Sequence, residues 1–281
     1  MKPLTGVIIQ ARTTSTRLPG KVLKELPWGS GITALGQVIR RLKRASSLDR
    51  IIVATTENRE DEAIVEIARK EKVHYFRGSE KDVLSRYYYA AKENGLDTVV
   101  RVTSDCPCID PDFIDRVVEE LFESGMDYVS YSGARRFPRG LDGEAFTMKA
   151  LERNFIEAKK DFEREHVTPY IYMTGQFRLK RLDAPEEFSA PEIRVTLDTI
   201  EDYALLCTVY DYLYPQNPFF GAGDIVGLFK ARPWLKFINE KVVQKKILSS
   251  LEEELREAEI LLDLQDLKRA RDFVRERIVS P

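Results

Sequence analysis

The stretch that decides the fold is GVIIQARTTSTRLPGK, residues 6–21. It opens with an apolar, β-branched run, which predicts a buried strand. The polar loop that follows holds Arg12, Arg17 and Lys21 among small hydroxylated residues and a Pro-Gly turn. Backbone N–H groups, hydroxyls and cations all donate to phosphate oxygens, and a loop after the first strand of an α/β fold is well placed to do so. The stretch therefore predicts a triphosphate-binding loop, with a solvated basic loop as the alternative.

Outward from this loop, short β-branched runs alternate with amphipathic stretches. The runs predict strands at 6–10, 50–55, 74–76, 98–102 and 128–131, and the stretches between them predict helices at 32–45, 61–70, 83–93 and 113–123. Such alternation is typical of an α/β fold with a doubly wound, mostly parallel sheet of the Rossmann type. Ligands of these sheets bind beyond the carboxyl ends of the strands, so the loops that follow strands are the ones to search for chemistry.

The second half of the chain departs from this alternation. Residues 132–197 include a turn-rich, basic loop at 135–143 and predict short strands at 144–147, 177–182 and 194–197, with a helix at 149–159. After residue 215 a loop rich in Pro, Gly and Phe leads to a helix-forming stretch at 248–277. We therefore predict a main domain at 1–214, with an excursion at 132–197 for a second substrate or a dimer contact. We predict a helical C-terminal extension at 215–281, packed on the core or on a partner subunit, and expect a homodimer.

The charge balance bears on the partners. Lys and Arg total 44 against 46 Asp and Glu, so no global field favours nucleic acid or an anionic membrane surface. Residues 1–50 nevertheless hold ten basic side chains and two acidic ones, which favours a small anionic ligand at this end. We interpret the part of this excess at Arg40, Arg41 and Arg44 as a solvated basic helix face.

The cysteines and the N-terminus bear on the compartment. Three cysteines make no disulfide framework and suit a reducing environment. The chain opens on a strand-like run instead of a signal peptide, and no later apolar segment is long enough to span a membrane. We therefore expect a cytoplasmic protein that makes no membrane contact.

Two further strand ends carry carboxylates. In RVTSDCPCIDP, residues 101–111, Asp105 follows an apolar strand and precedes a proline-stiffened turn, a rigid setting that suits Mg²⁺ bound to substrate phosphates. Asp110 is placed to cap the helix that follows it. In IRVTLDTIED, residues 193–202, the pattern allows two interpretations of Asp198. It is either an N-cap of the next helix or a second carboxylate ligand of the metal.

These three stretches together resemble the cytidylyltransferase family that makes CMP-activated acidic sugars, which includes the CMP-KDO synthetases and the acylneuraminate cytidylyltransferases. Residues 11–21 match the family's A-R-x-x-S-x-R-[LI]-P-G-K signature, residues 105–107 its D-x-P metal segment, and residues 198–202 its late D-T-x-E-D. The resemblance is strongest to the spore-coat polysaccharide branch, through GSEKDVLSRY (78–87), GLDGE (140–144) and REHVTPY (164–170). It implies a nucleotide-diphosphosugar transferase-like fold over nearly the whole chain.

The resemblance also implies roles for individual residues. The residues that would hold the triphosphate are Arg12, Ser15, Arg17 and Lys21. Those that would bind Mg²⁺ are Asp105 and Asp198, and the catalytic set would be Arg12, Lys21 and Asp105. The residues near the base or ribose would be Ser79 and Arg86. The residues that would face the acceptor are Asp142, Glu144, Glu165 and His166.

The activity that the resemblance implies is transfer of CMP from CTP to an acidic or otherwise anionic sugar-like acceptor, with release of pyrophosphate, in surface polysaccharide biosynthesis. An acceptor hydroxyl would attack the α-phosphorus while fixed cations and the metal stabilise the developing charge. His166 is a candidate general base, with the alternative that it only fixes a helix start. Two other functions stay open: a nucleotide-sugar-dependent glycosyltransferase of related fold, although its usual Asp-x-Asp pair is missing, and a non-catalytic nucleotide-binding protein.

Overall fold

The apolar run at the start of the chain forms β1, Thr5–Gln10, in the middle of the sheet. The computed structural model describes residues 3–131, 137–243 and 250–279. Within them the other strands are β2 (Arg50–Thr56), β3 (His74–Gly78), β4 (Thr98–Thr103), β5 (Tyr128–Ser130), β6 (Glu144–Thr147) and β7 (Leu179–Arg181). The order is β3-β2-β1-β4-β6-β5-β7, with β6 antiparallel to both neighbours and the other pairs parallel. The predicted doubly wound, mostly parallel α/β sheet is confirmed.

Helices cover both faces of this sheet. In the first half they are α1 (Ala34–Leu42), α2 (Glu62–Lys70), α3 (Val83–Glu93) and α4 (Pro111–Ser124), close to the predicted spans. The next five are α5 (Met148–Glu157), α6 (Asp161–His166), α7 (Pro169–Met173), α8 (Ile200–Leu213) and α9 (Ala222–Ala231). Side chains of β1 alternate between the faces: Val7 and Ile9 pack with residues of α1, α4 and α8, and Ile8 packs with residues of α3 and α5. Burial on both faces explains why the central strands are continuous apolar runs.

Residues 194–197 do not form the strand that the sequence predicts. Within the described chain they make one isolated bridge, between Arg139 and Arg194. The Val195 N–H donates to the Arg139 carbonyl at 2.9 Å and the Leu197 N–H to the Asp105 carbonyl at 2.8 Å. Their alternating apolar side chains are buried as in a strand, but their backbone partners belong to loops. The segment before Asp198 is therefore bonded directly to the loop that carries Asp105. Of the predicted loop at 135–143, residues 135 and 136 lie outside the described residues.

Contacts within the chain divide it into a first unit, Met1–Val242, and a second unit, Val243–Pro281. The first unit thus includes residues 215–242, which the sequence analysis places in the C-terminal extension. Phe220, Ile225 and Leu235 are fully buried in the core that contains Val7 and Ile9. Asp110 joins this segment to the sheet, because one of its carboxylate oxygens caps α4 and the other accepts a bond from the Ala222 N–H at 2.7 Å.

Arg41 is not part of a solvated helix face, so that interpretation is wrong for this residue. Its side chain is fully buried. The guanidinium donates to the carbonyls of Ile109 (2.7 Å) and Phe220 and lies over the Phe220 ring at 4.7 Å. A cation thus ties α1 to the loop before α4 and to the segment before α9. Arg44, in contrast, is exposed.

The second unit is a pair of helices, α10 (Leu251–Leu264) and α11 (Lys268–Val279). Two ion pairs join them, Arg271 with Asp263 at 2.6 Å and Arg275 with Glu259 at 2.5 Å. The stretch predicted to be helical at 248–277 is therefore two helices, because the chain turns through Asp266, which has a φ of 55°; residues 248 and 249 lie outside the described residues. Among the described helices, we find none that combines the length and the apolar character needed to cross a membrane.

Candidate active site

The loop after β1 and the loop after β4 leave the sheet side by side. Gln10 is paired with Thr103 in the parallel register, so the loops that begin at Ala11 and Ser104 start at the same level. The first loop curls back on itself, because the N–H groups of Ser15 and Gly20 both donate to the Thr13 carbonyl, at 2.9 and 3.0 Å. This turn brings the cations of the loop to the carboxyl edge of the sheet, where ligands of such folds bind.

Lys21 joins the two predicted metal ligands. Its ammonium donates to Asp105 Oδ2 at 2.9 Å and to Asp198 Oδ1 at 2.8 Å. The two aspartates come from different parts of the chain, one after β4 and the other before α8. Asp105 and Asp198 therefore converge on one cation.

Asp198 is held among cations and does not cap α8. Arg17 Nη2 lies 3.0 Å from its Oδ1 and Arg194 Nη2 lies 2.6 Å from its Oδ2. The cap is Thr199, whose hydroxyl accepts a bond from the Asp202 N–H at 3.3 Å while the Asp202 carboxylate accepts the N–H groups of residues 198 and 199. Of the two roles that the sequence left open for Asp198, the structure excludes the cap.

Lys21, Arg17, Arg194, Asp105 and Asp198 form one cluster, hereafter the Lys21 cluster. Its opposite charges stabilise the ionised forms of Lys21 and Asp198. Burial alone would lower the pKa of Lys21, but Asp105 and Asp198 outweigh it and raise that pKa above its usual value. Burial alone would raise the pKa of Asp198, but Lys21, Arg17 and Arg194 lower it to about 2. Lys21 and Asp198 are therefore both charged at neutral pH.

One carboxylate oxygen of Asp105 accepts a hydrogen bond from β4, the strand that precedes it. The Thr103 hydroxyl donates to Asp105 Oδ1 at 2.5 Å, and Asp105 Oδ2 is the oxygen that faces Lys21. Burial raises the pKa of the neighbouring Cys106 thiol, and the negative charges of Asp105, Asp142 and Asp198 raise that pKa further. A protonated, buried thiol is a poor metal ligand. Among the described residues no group of three or more His, Cys, Asp or Glu side chains could hold a metal by itself.

Arg12 lines a cavity of about 500 Å³ together with Glu80, Lys81, Asp82, Asp161, Arg164 and Glu165. The Arg12 guanidinium is 3.9 Å from Glu80, which also accepts bonds from the Thr14 hydroxyl and the Asn58 amide, both at 2.9 Å. Ser79 is exposed, and its hydroxyl accepts a bond from the Asp82 N–H at 3.1 Å just before α3. The structure thus groups Arg12 with Glu80 and Glu165.

Arg86 is a buried cation whose donors are not all used. Its side chain packs over Gly78 and is 2% exposed. Its Nε and Nη1 have no hydrogen-bond partner among the described residues. Burial lowers the pKa of Arg86, and Arg12 and Glu80 lie close enough to shift it as well. A buried, unpaired guanidinium is costly unless acceptors are supplied, and a ligand is one source of them.

The predicted acceptor residues Glu144, Glu165 and His166 have different contacts. Glu144 pairs with the partly buried Arg101 at 3.3 Å and accepts a bond from the Thr168 hydroxyl at 2.7 Å, so these contacts hold the sheet to the start of α7. Glu165 and His166 end α6, and within the described chain the Arg12 cavity is lined by Glu165 but not by His166. The Thr168 N–H donates to the His166 carbonyl at 2.9 Å across Val167, which has a φ of 72°.

Sequence reasoning missed three residues that organise the site. Asp61 is fully buried and accepts bonds from the Thr13 N–H (2.8 Å), the Thr13 hydroxyl (2.7 Å) and the Thr56 hydroxyl, so it fixes the loop after β1. Arg194 pairs with Asp198, and Glu80 pairs with Arg12. The signal for Asp61 was its place just after β2, the strand next to β1.

Comparisons with known proteins find relatives over most of the chain. The chain matches the cytidylyltransferase family over residues 6–227. It is 42% identical over 239 residues to the uncharacterized protein MJ1063 of Methanocaldococcus jannaschii, which covers 85% of this chain and 95% of that protein. It is 34% identical over 232 residues to the spore coat polysaccharide biosynthesis protein SpsF of Bacillus subtilis, or 80% of this chain and 94% of that protein. The structure of a cytidylyltransferase from Leptospira borgpetersenii is similar with a TM-score of 0.76 and 36% identity, covering 86% of this chain and 99% of that chain.

The family match spans the loop after β1, Asp105 and Asp198, the same segments that meet at Lys21. It also spans β1 to β7 of the sheet. The resemblance drawn from the sequence is thus confirmed: this chain belongs to the cytidylyltransferase family.

Proposed function

We propose that this protein transfers CMP from CTP to a hydroxyl group of an acidic or otherwise anionic sugar-like acceptor, in a Mg²⁺-dependent reaction that releases pyrophosphate. The observation that carries the proposal is the convergence of Asp105 and Asp198 on Lys21, next to Arg17. Two carboxylates and a set of cations at one sheet edge match the needs of a polyphosphate and its metal ion. A sugar diphosphate alone would leave the cations of the loop after β1 with less to bind, which favours this activity over a glycosyltransferase.

The residues present fit a divalent cation. Mg²⁺ in nucleotide sites is held by one or two carboxylates together with phosphates, and Asp105 Oδ2 and Asp198 Oδ1 converge on one point. When bound, such an ion supplies charge that stabilises the α-phosphate as pyrophosphate leaves. Lys21 and Arg17 donate to the phosphate oxygens and fix the α-phosphorus in line with the acceptor hydroxyl. We propose that Arg12, from the same loop, completes the phosphate-binding set.

Arg86 supports recognition of the base. Two of its guanidinium donors, Nε and Nη1, are buried and have no partner among the described residues, so a bound nucleoside is one source of acceptors near this side chain. We propose that Arg86 and Ser79, which lie at the start of α3 and just before it, form the nucleoside side of the site.

The acceptor side is supported by relatives and by Asp142. SpsF is named for spore coat polysaccharide biosynthesis, which favours a sugar-like acceptor. The negative charge of Asp142, like those of Asp105 and Asp198, raises the pKa of the Cys106 thiol, so all three carboxylates act on the same group. We propose that Asp142, Glu165 and His166 face the acceptor and that Glu144 acts through its contacts with Arg101 and Thr168.

The test is pyrophosphate release. The protein is incubated with Mg²⁺, each of the four nucleoside triphosphates and a panel of sugar acids and sugar phosphates. We expect release with CTP and an anionic acceptor, and a loss of about 10²–10³ in kcat for Asp105→Ala, because a fixed transition-state contact is removed. Asp112→Ala is the matched control, since Asp112 is an exposed carboxylate of α4, and it should keep the wild-type rate.

Three results would contradict the proposal. An Asp105→Ala variant that turns over at the wild-type rate would remove Asp105 from the catalytic set. Turnover of CDP-sugars without pyrophosphate would point to a glycosyltransferase. Tight CTP binding without turnover across the acceptor panel would point to a non-catalytic nucleotide-binding protein.

A further inference from the structure

Lys21 lies where a cation bound by both aspartates would have to lie. Its ammonium contacts Asp105 Oδ2 and Asp198 Oδ1 at the same time. We propose that Lys21 is a resident counter-cation that keeps a free divalent cation out of the site until the nucleotide binds, so that cation and nucleotide enter together. This inference rests on the proposed function, because it assumes that Asp105 and Asp198 are the metal ligands.

The carboxylate oxygens that face each other are the ones that Lys21 holds. The other oxygen of Asp105 accepts the Thr103 hydroxyl, and the other oxygen of Asp198 accepts Arg194 Nη2 at 2.6 Å. A cation that binds both aspartates across the gap must therefore compete with Lys21 for the same two atoms. Hard divalent cations prefer carboxylate oxygens free of a competing ammonium.

The net charge of the Lys21 cluster also disfavours a divalent cation that enters without nucleotide. The contacts described here set three cations, Lys21, Arg17 and Arg194, against three carboxylates, Asp105, Asp198 and Asp202. Adding a bare divalent ion would leave two excess positive charges in a cluster that is largely buried: the Lys21 side chain is 12% exposed and that of Asp198 15%. Repulsion between partly buried like charges is poorly screened.

Binding of a nucleoside triphosphate would remove both the competition from Lys21 and the excess positive charge. It brings about four negative charges, which offset the incoming cation, and its phosphate oxygens offer Lys21 new acceptors. Lysine is suited to such an exchange of partners, because its compact ammonium is carried on a flexible four-carbon stem. Lys21 would then hold the carboxylates in the free protein and the phosphates in the complex, and the metal would take over the carboxylates.

Mn²⁺ binding to the nucleotide-free protein tests this directly. Free and bound Mn²⁺ are measured by electron paramagnetic resonance for wild type, Lys21→Met and Arg17→Met, without nucleotide. We expect Lys21→Met to bind Mn²⁺ at least tenfold more tightly than wild type, and Asp105→Asn in the Lys21→Met background to abolish the gain. Arg17→Met is the matched control: it removes a cation that contacts Asp198 without bridging to Asp105, so its gain should be smaller.

Several results would overturn the inference. Wild type that binds Mn²⁺ as tightly as Lys21→Met would show that Lys21 excludes nothing. An equal gain in Mn²⁺ affinity in Arg17→Met would mean that loss of any nearby positive charge explains the effect. A gain in Mn²⁺ affinity that remains after Asp105→Asn would mean that the ion binds elsewhere. Lys21→Gln gives the same comparison should the Met variant fail to fold. Because none of these measurements uses CTP or an acceptor, failure of the proposed activity is read separately, from pyrophosphate release.

Discussion

At the scale of single residues, the partner of each charged side chain decides its role. Arg17 and Arg41 are the same residue type in the same basic segment, yet Arg17 pairs with Asp198 and Arg41 is buried against two carbonyls and a ring. Composition predicted a local excess of cations and an anionic ligand. It could not distinguish a cation at the proposed site, such as Arg17, from a buried structural cation, such as Arg41, because the two differ in burial and partners, which composition does not give.

Asp61 gives a prediction for the pH dependence of stability. Burial alone would raise the pKa of Asp61, but the bonds donated by Thr56 and Thr13 outweigh it and lower that pKa. A lowered folded-state pKa stabilises the protein above the unfolded-state value of about 3.9, and the stabilisation is lost as the pH falls through the folded-state value. We expect Asp61→Asn to lower the free energy of unfolding by about 1–3 kcal/mol at pH 7, measured by urea titration, and the deficit to shrink below pH 4.

Asp115 provides the control for Asp61. It accepts four bonds from Ser46 and Ser47, away from the phosphate-binding loop, and its pKa is lowered as well. Asp115→Asn should also cost stability but leave the KM for CTP unchanged, whereas Asp61→Asn should raise that KM. Equal effects of the two variants on KM would show that Asp61 does not position the loop.

At the scale of the elements, caps and turns decide where functional groups point. Because Thr199 caps α8, the Asp198 carboxylate is available to cations. Gly20, with a φ of 66°, turns the chain just before the short helical turn Lys21–Leu23, and this turn aims Lys21 at the aspartates. The sequence showed a Pro-Gly turn at this place but not the direction in which it sends the lysine.

Gly20→Ala tests the importance of this turn. No atom lies within 4 Å of the position of an added Cβ, so the cost is that of the left-handed backbone alone, about 1–2 kcal/mol. We expect this loss in the free energy of unfolding together with a raised KM for CTP, because the relaxed turn misplaces Lys21. Steady-state kinetics and urea titration measure the two effects.

Gly95 is matched to Gly20. It has a φ of 62°, equally open surroundings for a Cβ, and a place after α3, away from the cluster. Gly95→Ala should lose about the same stability by the same mechanism and keep the wild-type KM. A Gly20→Ala variant whose kinetics match those of Gly95→Ala would mean that the turn has no part in placing Lys21.

At the scale of the whole molecule, the site belongs to the first unit. Lys21, Asp105 and Asp198 all lie within Met1–Val242, and the family match ends at residue 227. The second unit has apolar side chains at its surface, with Leu251, Leu264 and Phe273 all more than half exposed. The predicted homodimer remains a proposal for which this unit is one candidate contact.

Removal of residues 243–281 tests this division. We expect residues 1–242 to fold, with a melting temperature within a few degrees of the full chain, and to release pyrophosphate from CTP at a similar rate, because the core and the cluster are complete without the tail. Light scattering on both proteins reports whether a homodimer needs the tail. A truncated chain that is folded but inactive would show that the second unit contributes to the site.

The sequence by itself determined the class of fold and the family, and it predicted the segments that meet at Lys21. The period of its apolar runs depends only on local backbone geometry, so the strands, the helices of the first half and the loops that follow β1 and β4 could be predicted. The family signature pointed to Lys21, Asp105 and Asp198 together. Only the tertiary structure decided that Lys21 bridges the two aspartates, that Asp61 holds the loop, that Arg41 is buried and that residues 194–197 bond to loops. These outcomes depend on long-range packing and on charges brought together from distant positions, which no local pattern records.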